Sequence, residues 1–125
     1  MNANLITEGS ALIAEFMGYT ITPITDLSTY YYQWNNLMPV IDKIEDLDHS
    51  KDHYQWQDLD GFERTNFQGY EVDISYRECR IWLNLELDPP QLIAYGKRSK
   101  TKFESVFRCV VLFIKWYNSK RVGGN

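Results

Sequence analysis

The stretch YEVDISYRECRIWLNLEL (residues 70–87) decides the fold. In its first half Tyr70, Val72, Ile74 and Tyr76 alternate with Glu71, Asp73 and Ser75. In its second half Cys79, Ile81, Leu83, Leu85 and Leu87 alternate with Arg80, Trp82, Asn84 and Glu86. Side chains leave a strand on opposite faces with a period of two, so each half predicts a strand with one apolar face. Arg77 and Glu78 stand between the runs and predict an antiparallel hairpin that turns there. Pro89 and Pro90 end the second strand, because proline cannot donate to a ladder. QLIAYGK (91–97) predicts a short third strand. A sheet with one solvated face needs helices over the other.

Three segments supply them. In TEGSALIAEFMG (7–18), Leu12, Ile13, Phe16 and Met17 recur at helical spacing, with Thr7 or Ser10 as cap and Gly18 as terminator. In QWNNLMPVIDKIEDL (33–47), Leu37, Val40, Ile41, Ile44 and Leu47 make one stripe. Pro39 fits only near that helix's start. In the last segment Thr101 and Glu104 form a capping box. Behind it Phe103, Val106, Phe107, Val110, Phe113, Ile114 and Tyr117 make one apolar stripe, and Cys109, Leu112 and Trp116 a second. A helix apolar around most of its circumference must bury most of it, in the core or at a subunit interface. Between helices and sheet, YTITPITDLST (19–29) reads as an extended connection. Residues 48–66 read as a long, irregular, acidic one, and 122–125 as a frayed tail.

The 125 residues fit one α+β domain: three helices packed on a small antiparallel sheet of two to three strands. A content of 44% hydrophobic and 24% charged residues is ordinary for a globular chain and argues against disorder. Cys79 and Cys109 are too few for a disulfide framework and read as small buried hydrophobes. The opening residues lack the basic start of a signal peptide, and no apolar run approaches a membrane span. A cytoplasmic protein is expected. Aromatic residues make up 15% of the chain, and STYYYQWNN (28–36) concentrates four of them. A base-stacking platform wants cations beside its rings, and here the adjacent charge is Asp26. Trp34 and one or two of the tyrosines are therefore expected to pack over the start of the second helix, with the rest half-exposed.

Charge is unevenly spread. From residue 97 onward eight bases face one acid, a net +7, while the preceding residues hold five bases and sixteen acids, a net −11. Lys115, Lys120 and Arg121 sit toward a helix C-terminus, where the macrodipole favours cations in any case. Lys97, Arg98, Lys100 and Lys102 precede a helix N-terminus, where it does not. These four are the candidate contact for nucleic acid or another anionic partner. His49 and His53, near Asp46, Asp48 and Asp52, have spacing compatible with a metal, but the segment reads as a loop and lacks the glutamate of a metallopeptidase motif. Asp58 to Glu63 fails the calcium-loop pattern. No serine lies in a G-x-S-x-G setting and no glycine loop is built to cradle phosphate. No catalytic residue, metal or cofactor is expected.

Read together, LIAEFMGY (12–19), WNNLMPVIDKIE (34–45) and VVLFIKWYN (110–118) resemble small proteins of bacterial genomes, phages and mobile elements of the phage ABA-sandwich domain type. The resemblance implies a three-layer α–β–α sandwich, the alternative to the two-layer fold above, and implies no enzymatic activity or site residue. The leading expectation is a non-catalytic accessory or interaction protein with a protein partner, able to form a homodimer through its last helix. Nucleic-acid binding through residues 97–102 is the alternative. A metal-dependent hydrolase using His49 and His53 comes third.

Overall fold

A computed structural model describes residues 3–19, 31–47, 56–57, 63–64, 67–85 and 89–123. Helix α1 (Ala3–Phe16) and α2 (Trp34–Asp46) precede the short strands β1 (Trp56–Gln57) and β2 (Glu63–Arg64). Strands β3 (Phe67–Ser75), β4 (Glu78–Leu85) and β5 (Gln91–Gly96) follow, and α3 (Lys102–Gly123) ends the order. The main sheet runs β3-β4-β5, antiparallel throughout, so the α+β class and the third strand are both as expected.

The hairpin differs from expectation in its turn. Ser75 pairs with Glu78, so Tyr76 and Arg77 turn the chain, not Arg77 and Glu78. Tyr76 adopts φ 57°, a positive value of the kind two-residue hairpin turns demand and usually fill with glycine. It therefore leaves the apolar face and stands 63% exposed. Strand β3 begins three residues early, through a bulge at Gly69 (φ 112°) that the side-chain alternation does not reveal. Trp56 and Gln57 pair with Arg64 and Glu63 inside the segment read as irregular. Two-residue strands are too short to show a period. The expected extended connection at 20–29 and the metal candidates His49 and His53 lie outside the described residues.

Helix α1 starts at Ala3, earlier than its expected caps, with Ala3 and Leu5 as good helix formers in the added turn. Thr7 and Ser10 thus lie inside it, Ser10 fully buried. Its end is as expected: Gly18 at φ 89° lets its N–H reach the Glu15 carbonyl and that of Tyr19 the Ala14 carbonyl, at 3.0 and 2.9 Å. This pair is a Schellman closure. Pro39 is the sixth residue of α2, past the first turn, where it removes the bond to the Asn35 carbonyl. Tertiary burial of Leu37, Val40, Ile41 and Ile44 outweighs that loss. Helix α3 is helical through Gly123, so residues 122–123 extend it and only 124–125 of the expected tail lie outside the description.

One core joins these layers. Tyr70, Cys79, Ile81, Leu83 and Ala94 present the sheet's apolar face to Val106, Phe107, Cys109, Val110, Phe113 and Ile114 of α3. Phe113 lies 5.0 Å from the Tyr70 ring, 6.4 Å from Phe16 and 5.8 Å from Tyr117. It ties α3 to both the sheet and α1. Lys43 of α2 donates to the Phe16 carbonyl at the end of α1, a favourable place for a cation. Glu45 accepts the Val72 N–H at 3.3 Å and so blunts the outer edge of β3. The two thiols meet between β4 and α3. Their mutual hydrogen bond and then burial push the Cys79 thiol well above its ordinary range.

The second apolar stripe of α3 divides. Cys109 is buried, Trp116 half-buried and Leu112 46% exposed. Tyr31 and Tyr32 of the aromatic run join the core, while Trp34 stays more exposed, and the route differs from the one expected. Tyr31 is buried, and Tyr32 and Trp34 set their rings 4.8 and 5.0 Å from Phe103, in the first turn of α3 rather than over α2. Burial, then the Glu104 carboxylate, raise the Tyr32 phenol, against Arg108.

Candidate anion-binding pocket

The basic segment is placed by a close approach. At Gly96, the last residue of β5, a methyl group would stand 2.0 Å from the Ser105 carbonyl oxygen. Only glycine lets α3 press its first turn against the sheet here. The chain between them, residues 97–101, is consequently short and held. Ser99 donates its N–H to the Arg77 carbonyl at 3.2 Å, and Arg77 returns a guanidinium bond to the Lys100 carbonyl at 3.4 Å. Thr101 then caps α3, its hydroxyl accepting the Glu104 N–H at 3.1 Å, so this half of the expected capping box is present.

The β4–β5 register sets the cations. Arg80 pairs with Tyr95 and Cys79 with Gly96, so the same register carried outward sets Arg77 beside Arg98. Tyr76 gathers them. Its phenol oxygen accepts from Arg77 at 2.9 Å and from Arg98 at 3.1 Å, and both guanidinium carbons lie 4.7 Å from its ring centroid. Cation–π attraction offsets some of the repulsion between two like charges held this close. One turn into α3, Arg108 binds Glu104 at 3.1 Å across a four-residue step.

These groups line one open pocket of about 520 Å³, formed by Arg77, Arg98, Ser99, Lys100, Glu104 and Arg108. Four cations face one carboxylate, and that carboxylate is engaged by Arg108. Among the described residues Arg77, Arg98 and Lys100 have no carboxylate within ion-pair distance. The Nε atoms of Arg77 and Arg108 are buried without a hydrogen-bond partner. A buried donor left unpaired is costly.

Of the four candidate residues, Arg98 and Lys100 line the pocket. Lys97 and Lys102 are exposed beside it and do not. Lys102 opens α3, where the macrodipole disfavours a cation. Arg77 and Arg108 were missed by sequence reasoning. Arg77 read as a turn residue, and Arg108 lies off both apolar stripes of the last helix. Their convergence depends on the β4–β5 register and on the Gly96 contact, neither of which the pattern of residue types encodes.

A second surface lies between α1 and α3. Leu5 (47% exposed), Leu112 (46%) and the half-buried Leu12 and Val111 line shallow apolar grooves there, with Glu8 and Glu15 on α1 and Lys115 on α3 at their margins. Among the described residues no group of histidine, cysteine and carboxylate side chains is spaced to hold a metal, and no helix is long and apolar enough to cross a membrane. No protein-family model, curated protein or solved structure matches the chain.

Proposed function

We propose that this chain is a non-catalytic interaction protein that binds a nucleic-acid strand through the basic surface of the β3–β4 turn and residues 97–102. The observation that carries the reading is the convergence of Arg77, Arg98, Lys100 and Arg108 on one pocket lined by a single carboxylate. Such a cluster destabilises the free protein and is relieved by phosphate. Lys97 and Lys102 extend the positive surface beyond the pocket. The non-catalytic half rests on the lining groups. The Ser99 hydroxyl donates to the Lys97 carbonyl at 3.1 Å and has no base beside it in the pocket, and Glu104 is paired. The acidic remainder of the chain keeps the molecule soluble and orients it on an anionic target. This reading agrees with an origin in a phage or mobile element.

The test is fluorescence anisotropy with single-stranded DNA and RNA at low salt. Binding is expected, with a log–log salt slope of about −2 for one phosphate at the pocket and one each at Lys97 and Lys102, at about −0.7 each. Reversal of Lys97, Arg98, Lys100 and Lys102 to glutamate abolishes it. No binding at low salt, or binding indifferent to the reversal, refutes the proposal.

A second reading, self-association across α1 and α3, is favoured by the exposed Leu5 and Leu112 and by acidic margins on one helix opposite a basic one on the other. Sedimentation equilibrium of the parent and of Leu112→Glu decides it. A monomer at high concentration removes this reading.

A further inference from the structure

We infer that the pocket seats the terminal phosphate of the strand, a phosphate monoester, rather than an internal phosphodiester. The inference rests on the nucleic-acid reading above and deepens it.

Three features of the pocket point to an end group. The first is charge. Its lining carries four cations and one carboxylate, a net +3. An internal diester brings a single negative charge, whereas a terminal monoester brings roughly 1.5 to 2 near neutrality. The second is donor geometry. A guanidinium recognises an oxyanion through planar N–H groups, and Arg77, Arg98 and Arg108 keep N–H groups beyond those given to the Lys100 carbonyl, Tyr76 and Glu104. A monoester offers three terminal oxygens to them and a diester only two.

The third is shape. A surface that tracks a backbone spreads its cations along a groove. Here they converge on one compartment of about 520 Å³, while Lys97 and Lys102 remain outside on exposed backbone. That arrangement suits one phosphate inside and its neighbours along the rim. The ring at the site does not serve as a stacking platform, because two guanidiniums already lie 4.7 Å from the Tyr76 centroid. The pocket therefore reads phosphate and not base. Tyr76 is a positioning residue: it holds Arg77 and Arg98 at one oxygen, and it keeps that place despite a positive φ.

The experiment compares eight-nucleotide strands of one sequence carrying a 5′-phosphate, a 3′-phosphate or hydroxyls at both ends, by competition anisotropy with the full chain. One phosphorylated end is expected to bind about tenfold tighter than the hydroxyl strand, the gain of one or two charge-assisted hydrogen bonds. Arg98→Gln erases that preference, and so does Lys100→Gln, an exposed substitution that leaves the core untouched. Lys102→Gln weakens all three strands alike and preserves the preference. Equal binding of the three strands by the parent protein overturns the inference and leaves the nucleic-acid reading standing. So does a preference that survives both pocket variants. Failure of every strand to bind overturns the reading and the inference together.

Discussion

Gly96→Ala tests the contact that positions both core and pocket. The added methyl lies 2.0 Å from the Ser105 carbonyl oxygen and 3.0 Å from the Cys109 Cβ. Carbon and oxygen settle no closer than about 3.3 Å, so the first turn of α3 must lift by roughly 1 Å or β5 must give way. The nearest obstacle is the Ser105 backbone, with the Cys109 Cβ beside it, and neither is the end of a flexible side chain that can swing aside. Overpacking costs about 1 to 3 kcal/mol in general, and a backbone clash belongs at the upper limit, about 3 kcal/mol. For a domain of this size that lowers Tm by roughly 10 to 15 °C. Urea and thermal unfolding followed by circular dichroism measure it, with Gly18→Ala as the control. Gly18 has φ 89° and open space around it, so alanine there meets backbone strain alone, about 1 kcal/mol. A Gly96→Ala protein as stable as the parent, or more stable than Gly18→Ala, refutes the reasoning.

Phe113→Ala removes the ring that links Tyr70, Phe16 and Tyr117 and costs about 3 to 5 kcal/mol by chemical denaturation. Tyr76→Gly splits stability from binding: relief of the positive φ raises stability by up to about 1 kcal/mol, while loss of the ring frees Arg77 and Arg98 and weakens strand binding in the anisotropy assay. Alkaline titration of stability reads Cys79. Its thiol is raised in the fold from 9.0, so the native state keeps the proton longer than the unfolded chain. Stability is full below pH 9.0 and falls above it, by about 1.4 kcal/mol per pH unit for this group. The raised Tyr32 phenol steepens the fall beyond pH 10.0. Cys79→Ala removes the loss between those two values, measured as Cm in urea at each pH.

The layered architecture was legible because it rests on periodicity. Residues 70–75 and 79–85 alternate, and the stripe from Leu37 to Ile44 matches one helix face. The cap at Thr101 and the stop at Gly18 are local chemistry and were legible too. What escaped was set by distant partners. Tyr76 carries a strand former's side chain into a turn, so propensity put it on the wrong side of the boundary. The aromatic run was expected near its own helix and instead meets Phe103, far along the chain. Two of the pocket's four cations, Arg98 and Lys100, were visible as a run of like charge. Arg77 and Arg108 reach it through register and helical pitch, which no local window contains.

Cys79 and Cys109 give the molecule a clock. Both sulfurs are sealed where β4 meets α3, and Cys109 also donates to the Ala94 carbonyl at 3.6 Å on the neighbouring strand. An alkylating reagent reaches either sulfur only during the moments when strand and helix part. The pace of labelling in native buffer therefore times those partings, with no denaturant. Run with and without an end-phosphorylated strand, the same clock reports whether a guest at the mouth of α3 slows the breathing of the layer beneath it.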